Sequence, residues 1–344
     1  MINDFQEEIA IRRLRLKKDI KKTGGNCARI LLILSLCTYG IGGLIIFAIR
    51  FRAKQLGVTM TSNVEAENIL GISKEAYNFM MGYLPCIIAD IIAILIALKT
   101  TTIRIRKDML CKIKSPKLFV LLGTVSCMGT GMISSIIYQI YSTLFNAGGI
   151  TIPEPDFSMP TQTGYLILFL AYVCVIGPVL EEIIFRGFIL KSMQKYGNLT
   201  AIIVSSILFS MFHLNLVQFV NPVLMGIVLG FIAIKSKSVV ASIIAHIFNN
   251  TITFMLAGIS LLKMPILEYS ISTVYFLGGI VLFVLFVVRY SKDFIETIRE
   301  NTNILKTYKK VAYAFISGWA RVYIVFYILL VGGIMFLTNL FKIS

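Results

Sequence analysis

Six polar residues stand where long apolar runs should exclude them, and their types suit hydrolysis. They are Glu181, Glu182 and Arg186 in one run, His213 in the next, and His246 and Asn250 two runs further on. The chain has only two histidines, and both belong to this set. An ionisable side chain near the middle of a bilayer is costly, so its retention there points to a function. A carboxylate or an imidazole can take the proton of an attacking water. Imidazole and amide N–H groups can face the oxyanion that forms on the attacked carbonyl. Glu182 and Arg186 are four residues apart, on one helical face, and suit an ion pair. Phe209 and His213 share that spacing, as do His246 and Asn250. Glu181 points about 100° away from Glu182, so the two carboxylates can do different work.

The elements that must position these groups are membrane helices. Of 344 residues 57% are apolar and 15% charged, far fewer charges than a water-soluble domain carries. Apolar runs of spanning length are expected at 30–49, 78–98, 118–142, 164–190, 199–216, 218–234, 239–257, 273–288 and 323–341. The expectation is an all-α, polytopic transmembrane bundle of eight to nine spans. Residues 2–22 place Ile2, Phe5, Ile9, Leu16 and Ile20 on one face and predict an interfacial amphipathic helix. The net charge of +16 sits between the apolar runs; residues 99–117 carry seven Lys or Arg, whereas 143–163 carry none. That alternation puts the N-terminus and the basic loops in the cytoplasm. No aromatic-interleaved basic patch lies outside the runs, so the expected partner is the lipid bilayer, not nucleic acid. Cys37, Cys86, Cys127 and Cys174 lie within apolar runs without metal-ligand spacing and read as small hydrophobes. Asp90 is alone in its run and reads as an interhelical hydrogen-bonding group.

Depth tests whether the polar groups can meet. Glu181 stands sixteen residues before Gly197 and His213 sixteen after it. In an antiparallel hairpin turning at Gly197 both lie about 24 Å from the turn. His246 and Asn250, counted from Lys237, fall at overlapping depth, and a water-filled cavity open to the cytoplasm is expected to serve them. Gly177-Pro178 allows a kink, and Gly226 with Gly230 allows close packing of the sixth helix.

Glu181-Glu182-Ile-Ile-Phe-Arg186, Phe209-Ser-Met-Phe-His213 and His246-Ile-Phe-Asn-Asn250 match EExxxR, FxxxH and HxxxN. In this order, on successive membrane helices, they resemble the CPBP (Abi) family. That family comprises intramembrane proteases, among them type II CAAX prenyl endopeptidases and bacterial bacteriocin-processing or immunity proteins. The resemblance divides the chain into a basic amphipathic segment at 1–29, N-terminal helices at 30–163, a catalytic core at 164–257 and C-terminal helices at 258–344. It implies a peptide-bond hydrolase in which Glu181 and His213 activate water and His246 and Asn250 hold the carbonyl oxygen. Glu182, Arg186 and Phe209 support them. Glu181, His213 and His246 are also a familiar zinc set with room for a water, so glutamate-activated water and zinc catalysis both stay open. Two other function classes stand beside the peptidase: a regulatory or immunity protein on a protease fold, and an ion-coupled transporter. The transporter ranks last, because the polar cluster has no counterpart in the first half of the chain.

Overall fold

The computed structural model describes residues 2–57, 71–156, 158–260, 263–299 and 304–343, and among them every regular element is helical. The elements are α1 (Ile2–Gln55), α2 (Lys74–Thr100), α3 (Lys117–Ala147), α4 (Thr163–Gln194), α5 (Asn198–Phe212), α6 (Val220–Ser236), α7 (Val239–Ser260), α8 (Pro265–Ile298), α9 (Thr307–Phe315) and α10 (Gly318–Ile343). Seven of them, α1 to α4, α7, α8 and α10, are long and apolar enough to cross a membrane, so this is a multi-pass membrane protein. Large apolar side chains such as Leu44, Phe47, Ile167, Val274, Val288 and Phe336 point outward, as lipid contact requires.

The expected count of eight or nine spans is not reached by helices of spanning length. The two apolar runs after Gly197 fold as α5 and α6, of 15 and 17 residues. At 1.5 Å per residue they rise roughly 22 and 25 Å, short of about 30 Å of hydrocarbon. The N-terminal amphipathic segment also departs from expectation, since it runs without a break into the first span as α1. Of its apolar face Ile20 is buried and Ile9 and Leu16 are half-buried, while the side chains of Ile2 and Phe5 lie outside the described residues. Gly24 does not end the helix because it is needed for contact: a Cβ there would stand 2.6 Å from Ala314 Cα of α9.

The basic segments around Lys22, 99–117, Lys195, Lys235 and Lys310 meet on one face, whereas Arg50, Arg52 and Lys54 end α1 at the other, near Tyr77. Lys195 Nζ lies 3.1 Å from Asp19 Oδ2, Lys310 Nζ donates to Tyr196 O at 2.8 Å, and Lys235 pairs with Asp293 at 2.8 Å. The Lys114 N–H bonds Ser236 O at 2.9 Å and Ser238 Oγ bonds Cys111 O at 2.6 Å, tying the 101–116 loop to the α6–α7 turn. The opposite face is held by Thr151 and Asn339, which exchange bonds of 2.7 and 2.9 Å, and by Tyr138 with Glu154 at 3.2 Å.

Small residues set the helix spacing behind the site. A Cβ on Gly226 of α6 would lie 2.8 Å from Ser206 Oγ of α5, and one on Gly230 would lie 3.3 Å from Ile202, as the sequence leads one to expect. On α3, a Cβ at Gly129 would stand 2.4 Å from Phe283 Cβ and 2.5 Å from Gly279 O of α8, whereas Gly131 faces open space. Gly129→Val should therefore part α3 from α8 and destabilise by about 1–3 kcal/mol, while Gly131→Val should be tolerated. Thermal unfolding of the two detergent-solubilised variants checks this, and equal melting temperatures would refute it.

Candidate active site

The helix that carries the two glutamates is not a plain α-helix. Within α4, residues Tyr172–Ile176 and Ile183–Leu190 are wound as π-helix on either side of the α-helical Gly177–Glu182. The first π-turn has a definite backbone cause. The Gly177 N–H bonds Tyr172 O, five residues back. Val173 O thus loses its α-helical partner, Gly177, and its π-helical partner would be Pro178, which has no N–H. Asn250 of α7 fills the gap: its Nδ2 donates to Val173 O at 3.0 Å. A backbone carbonyl orphaned in the bundle would otherwise go unsatisfied, and the bond ties α7 to α4 about two turns above the glutamates.

Glu182 points into the protein with no exposed surface, and its Oε1 accepts two charge-assisted bonds. One comes from Arg186 Nη1 at 2.7 Å, the other from His246 Nδ1 at 3.1 Å. Arg186 is equally buried, and its guanidinium lies 4.4 Å over the ring of Phe209, a cation–π contact. Phe209 also stands edge-on to both imidazoles, at 5.1 Å from His213 and 5.7 Å from His246 between ring centroids. It thus spaces the two rings.

Glu181 faces the other way. Its side chain retains 17% exposure and lines a cavity of about 700 Å³. With Nδ1 of His246 donating to Glu182, Nε2 lies 3.7 Å from Glu181 Oε2, too long for a hydrogen bond but close enough for strong electrostatic coupling. His213 ends α5, and its Nδ1–H donates to Phe209 O at 2.9 Å. That bond fixes the tautomer and leaves Nε2 with a lone pair. The chain then turns sharply: Leu214 is left-handed at φ 53°, and Asn215 bonds His213 O at 2.8 Å and the Gln218 N–H at 2.7 Å. Glu181, His213, His246 and Asn250 all line the one cavity, whereas Glu182 and Arg186 lie beneath its wall.

The cavity does not open toward the basic face, as the sequence led us to expect. Its outer lining comes from Gly82, Tyr83, Asp156, Leu214 and Gln218, all at the opposite end of the bundle. The reason is the shortness of α5 and α6, whose turn at 213–219 falls below the ends of the neighbouring helices. Asp156 is exposed there, and the N–H and hydroxyl of Ser158 hold its carboxyl below the usual carboxylate range. Sequence reasoning missed Tyr172, Asn221 and Asn249 in the lining, and gave Asp90 an interhelical bond. Asp90 instead lines the cavity, 2% exposed, and its Oδ1 has no hydrogen-bond partner. Asn249 beside Asn250 was a readable signal; Tyr172 carried none.

The zinc reading does not fit. Among the described residues no three His, Cys, Asp or Glu side chains are grouped so as to hold a metal ion, and the six cysteines are free. Zinc ligands must all come within about 2.0–2.3 Å of one point, so no step below runs through a metal. The buried pair gives a prediction. Glu182→Gln or Arg186→Ala leaves an uncompensated buried charge and should cost about 3–5 kcal/mol, seen as low membrane yield and a depressed melting temperature. Glu181→Gln, on the cavity wall, should keep both near wild type; equal losses in all three variants would refute the distinction.

Comparison with known proteins places this geometry. Residues 163–252 match the family described as type II CAAX prenyl endopeptidase Rce1-like. The chain is 33% identical over 78 residues to a protein of Bacillus subtilis (strain 168) described as "Putative membrane peptidase YdiL". That match covers 22% of this chain and about a third, 32%, of the relative. No solved structure matches the chain. The matched region holds Glu181, Glu182, Arg186, Phe209, His213, His246 and Asn250 together, so the stretch similar to the Rce1-like family of type II CAAX prenyl endopeptidases is the one that carries the polar cluster.

Proposed function

We propose that the protein is an intramembrane endopeptidase that hydrolyses a peptide bond with a water activated by Glu181. The observation that carries this reading is the convergence of Glu181, His213 and His246 on one cavity, with His246 anchored from behind by Glu182. Glu181 removes a proton from water, with His213 Nε2 as the second acceptor. The hydroxide adds to the scissile carbonyl, whose developing oxyanion faces the second N–H of Asn250 and the Nε2–H of His246. That role requires His246 to carry a proton on both ring nitrogens, since Nδ1–H is given to Glu182. The proton then passes to the leaving amine as the C–N bond breaks, which returns Glu181 to its starting state. Phe209, Arg186 and Glu182 hold the two rings apart and aligned.

The division of labour along the chain follows. Residues 164–257 are the catalytic core, 30–163 and 258–344 supply its walls, and 1–29 is a basic segment at the membrane surface. By the positive-inside rule the basic face and the N-terminus are cytoplasmic. The cavity then takes water and substrate from the far side, so the substrate is a peptide or protein segment at or near that leaflet. A reporter after Met1 or within 99–117 should read as cytoplasmic, and one within 146–160 as external. An external reading for 99–117 would reverse the orientation.

The catalytic test uses Glu181→Gln and His213→Ala expressed at wild-type level. Loss of a general base costs about 10²- to 10⁴-fold in rate. Neither variant should restore the phenotype of a deletion, and mass spectrometry of membrane-associated peptides should show an uncleaved precursor accumulating. Full restoration by both, with no precursor, would mean that the protein acts by binding a partner on a protease fold.

A further inference from the structure

We propose that the segment held in this cavity carries a positively charged group beside the scissile bond, and that Asp90 is the residue that binds it. The inference rests on the peptidase reading and adds the substrate's charge to it. The chain as a whole has 33 Lys and Arg against 17 Asp and Glu, yet the cavity runs against that balance. Its charged lining is Asp90, Asp156 and Glu181, and among the described residues no Lys or Arg lines it. Arg186 lies beneath the wall with its charge engaged by Glu182 at 2.7 Å, and Lys74, which acts on Asp156, is outside the cavity lining.

Position gives the acidic groups distinct roles. Asp90 stands nine residues before Lys99 on α2, and Glu181 ten before Lys191 on α4. At 1.5 Å per residue Asp90 lies about 14 Å from the basic face, and Glu181, whose helix is π-wound over 183–190, no more than about 15 Å; both line the cavity. Asp156 is at the mouth. A cation therefore meets Asp156 first and Asp90 beside the reacting groups. Asp90 also needs a partner. It is 98% removed from solvent by its 2% exposure, and its Oδ1 has none among the described residues. An unpaired buried carboxylate is unfavourable, and an ammonium or guanidinium placed against it relieves that. The favoured occupant is a segment with Lys or Arg beside the scissile bond, or a chain's N-terminal ammonium.

The test uses the full-length protein in detergent micelles and internally quenched peptides with Lys, Gln or Glu scanned across one sequence. Each peptide is made with a free and with an acetylated N-terminus, which separates a side-chain cation from a terminal one. The wild type should favour the best Lys peptide over its Gln counterpart by about tenfold or more in kcat/KM, with Glu last. Asp90→Asn should collapse the Lys-to-Gln ratio toward one. Asp156→Asn, an exposed change that does not endanger folding, should lower it about two- to fivefold, chiefly through KM. A ratio near one in the wild type, or one unaltered in both variants, overturns the proposal. Anisotropy of labelled, reduced-bond Lys and Gln peptides separates the two readings. Charge-selective binding that Asp90→Asn abolishes, without any cleavage, keeps the cation site and sinks the peptidase; cleavage without charge preference does the reverse.

Discussion

Glu182 Oε1 accepts from Arg186 and His246 at once, with no exposed surface on the carboxylate or the guanidinium. The rest of the site depends on this shared acceptor. Removed from water, a carboxylate needs partners of excellent geometry, and both partners are therefore held in one place. The bond to His246 turns Nε2 toward Glu181 and fixes α7 against α4. The bond to Arg186 lays the guanidinium on Phe209 at 4.4 Å, and Phe209 in turn spaces the two imidazoles. A single buried acceptor thus orients two of the four side chains proposed to do the chemistry, His246 by its own contact and His213 through Phe209.

Adjacent glutamates take opposite surroundings because successive side chains on a helix diverge by about 100°. That alone would point Glu181 into a neighbouring helix as readily as into a cavity. The difference comes from the π-turn at 172–176, where Pro178 removes a donor and Asn250 supplies one. Wide turns of this kind are frequent at functional sites. Here the cause lies in two residues, a proline in one helix and an asparagine in another, separated by more than seventy positions. Asn250 therefore braces the helix that carries Glu181, besides any part it takes at the oxyanion.

The site's membership was legible in the sequence because bilayer cost makes polar side chains conspicuous. Glu181, His213 and His246 stood out by type and depth, and the i, i+4 spacing of Glu182 and Arg186 gave the ion pair directly. The direction of the cavity was not legible. The apolar run through Leu216 reads as span to its end, but Leu214 turns left-handed and Asn215 closes the turn with two bonds. One positive-φ leucine, a conformation that hydropathy does not encode, shortens the helix and moves the opening to the other face. The continuity of α1 was hidden for a related reason. Residues 2–22 and 30–49 read as separate elements, whereas one helix runs through both and Gly24 within it serves a close approach to Ala314. Asp90 was visible as an anomaly, but only the packing of α2 beside α4 shows that it faces the cavity and not a polar partner.

The two faces of the bundle are built unlike one another, and hydrolysis within a membrane requires that. On the basic face the loops are laced by hydrogen bonds, from the Lys114 N–H to Ser236 O, from Ser238 Oγ to Cys111 O and from Lys310 Nζ to Tyr196 O, and no residue of those loops lines the cavity. On the other face a turn ends short of the surface, steadied by Tyr141, whose hydroxyl donates to Leu216 O at 2.6 Å. Water reaching Glu181 from one side only wets the cavity without opening a path across the bilayer. A site open at both ends would let protons and ions leak along its acidic lining. The shortness of α5 and α6 and the lacing of the opposite loops are thus two parts of one constraint: admit water to the carboxylate, and stop it there.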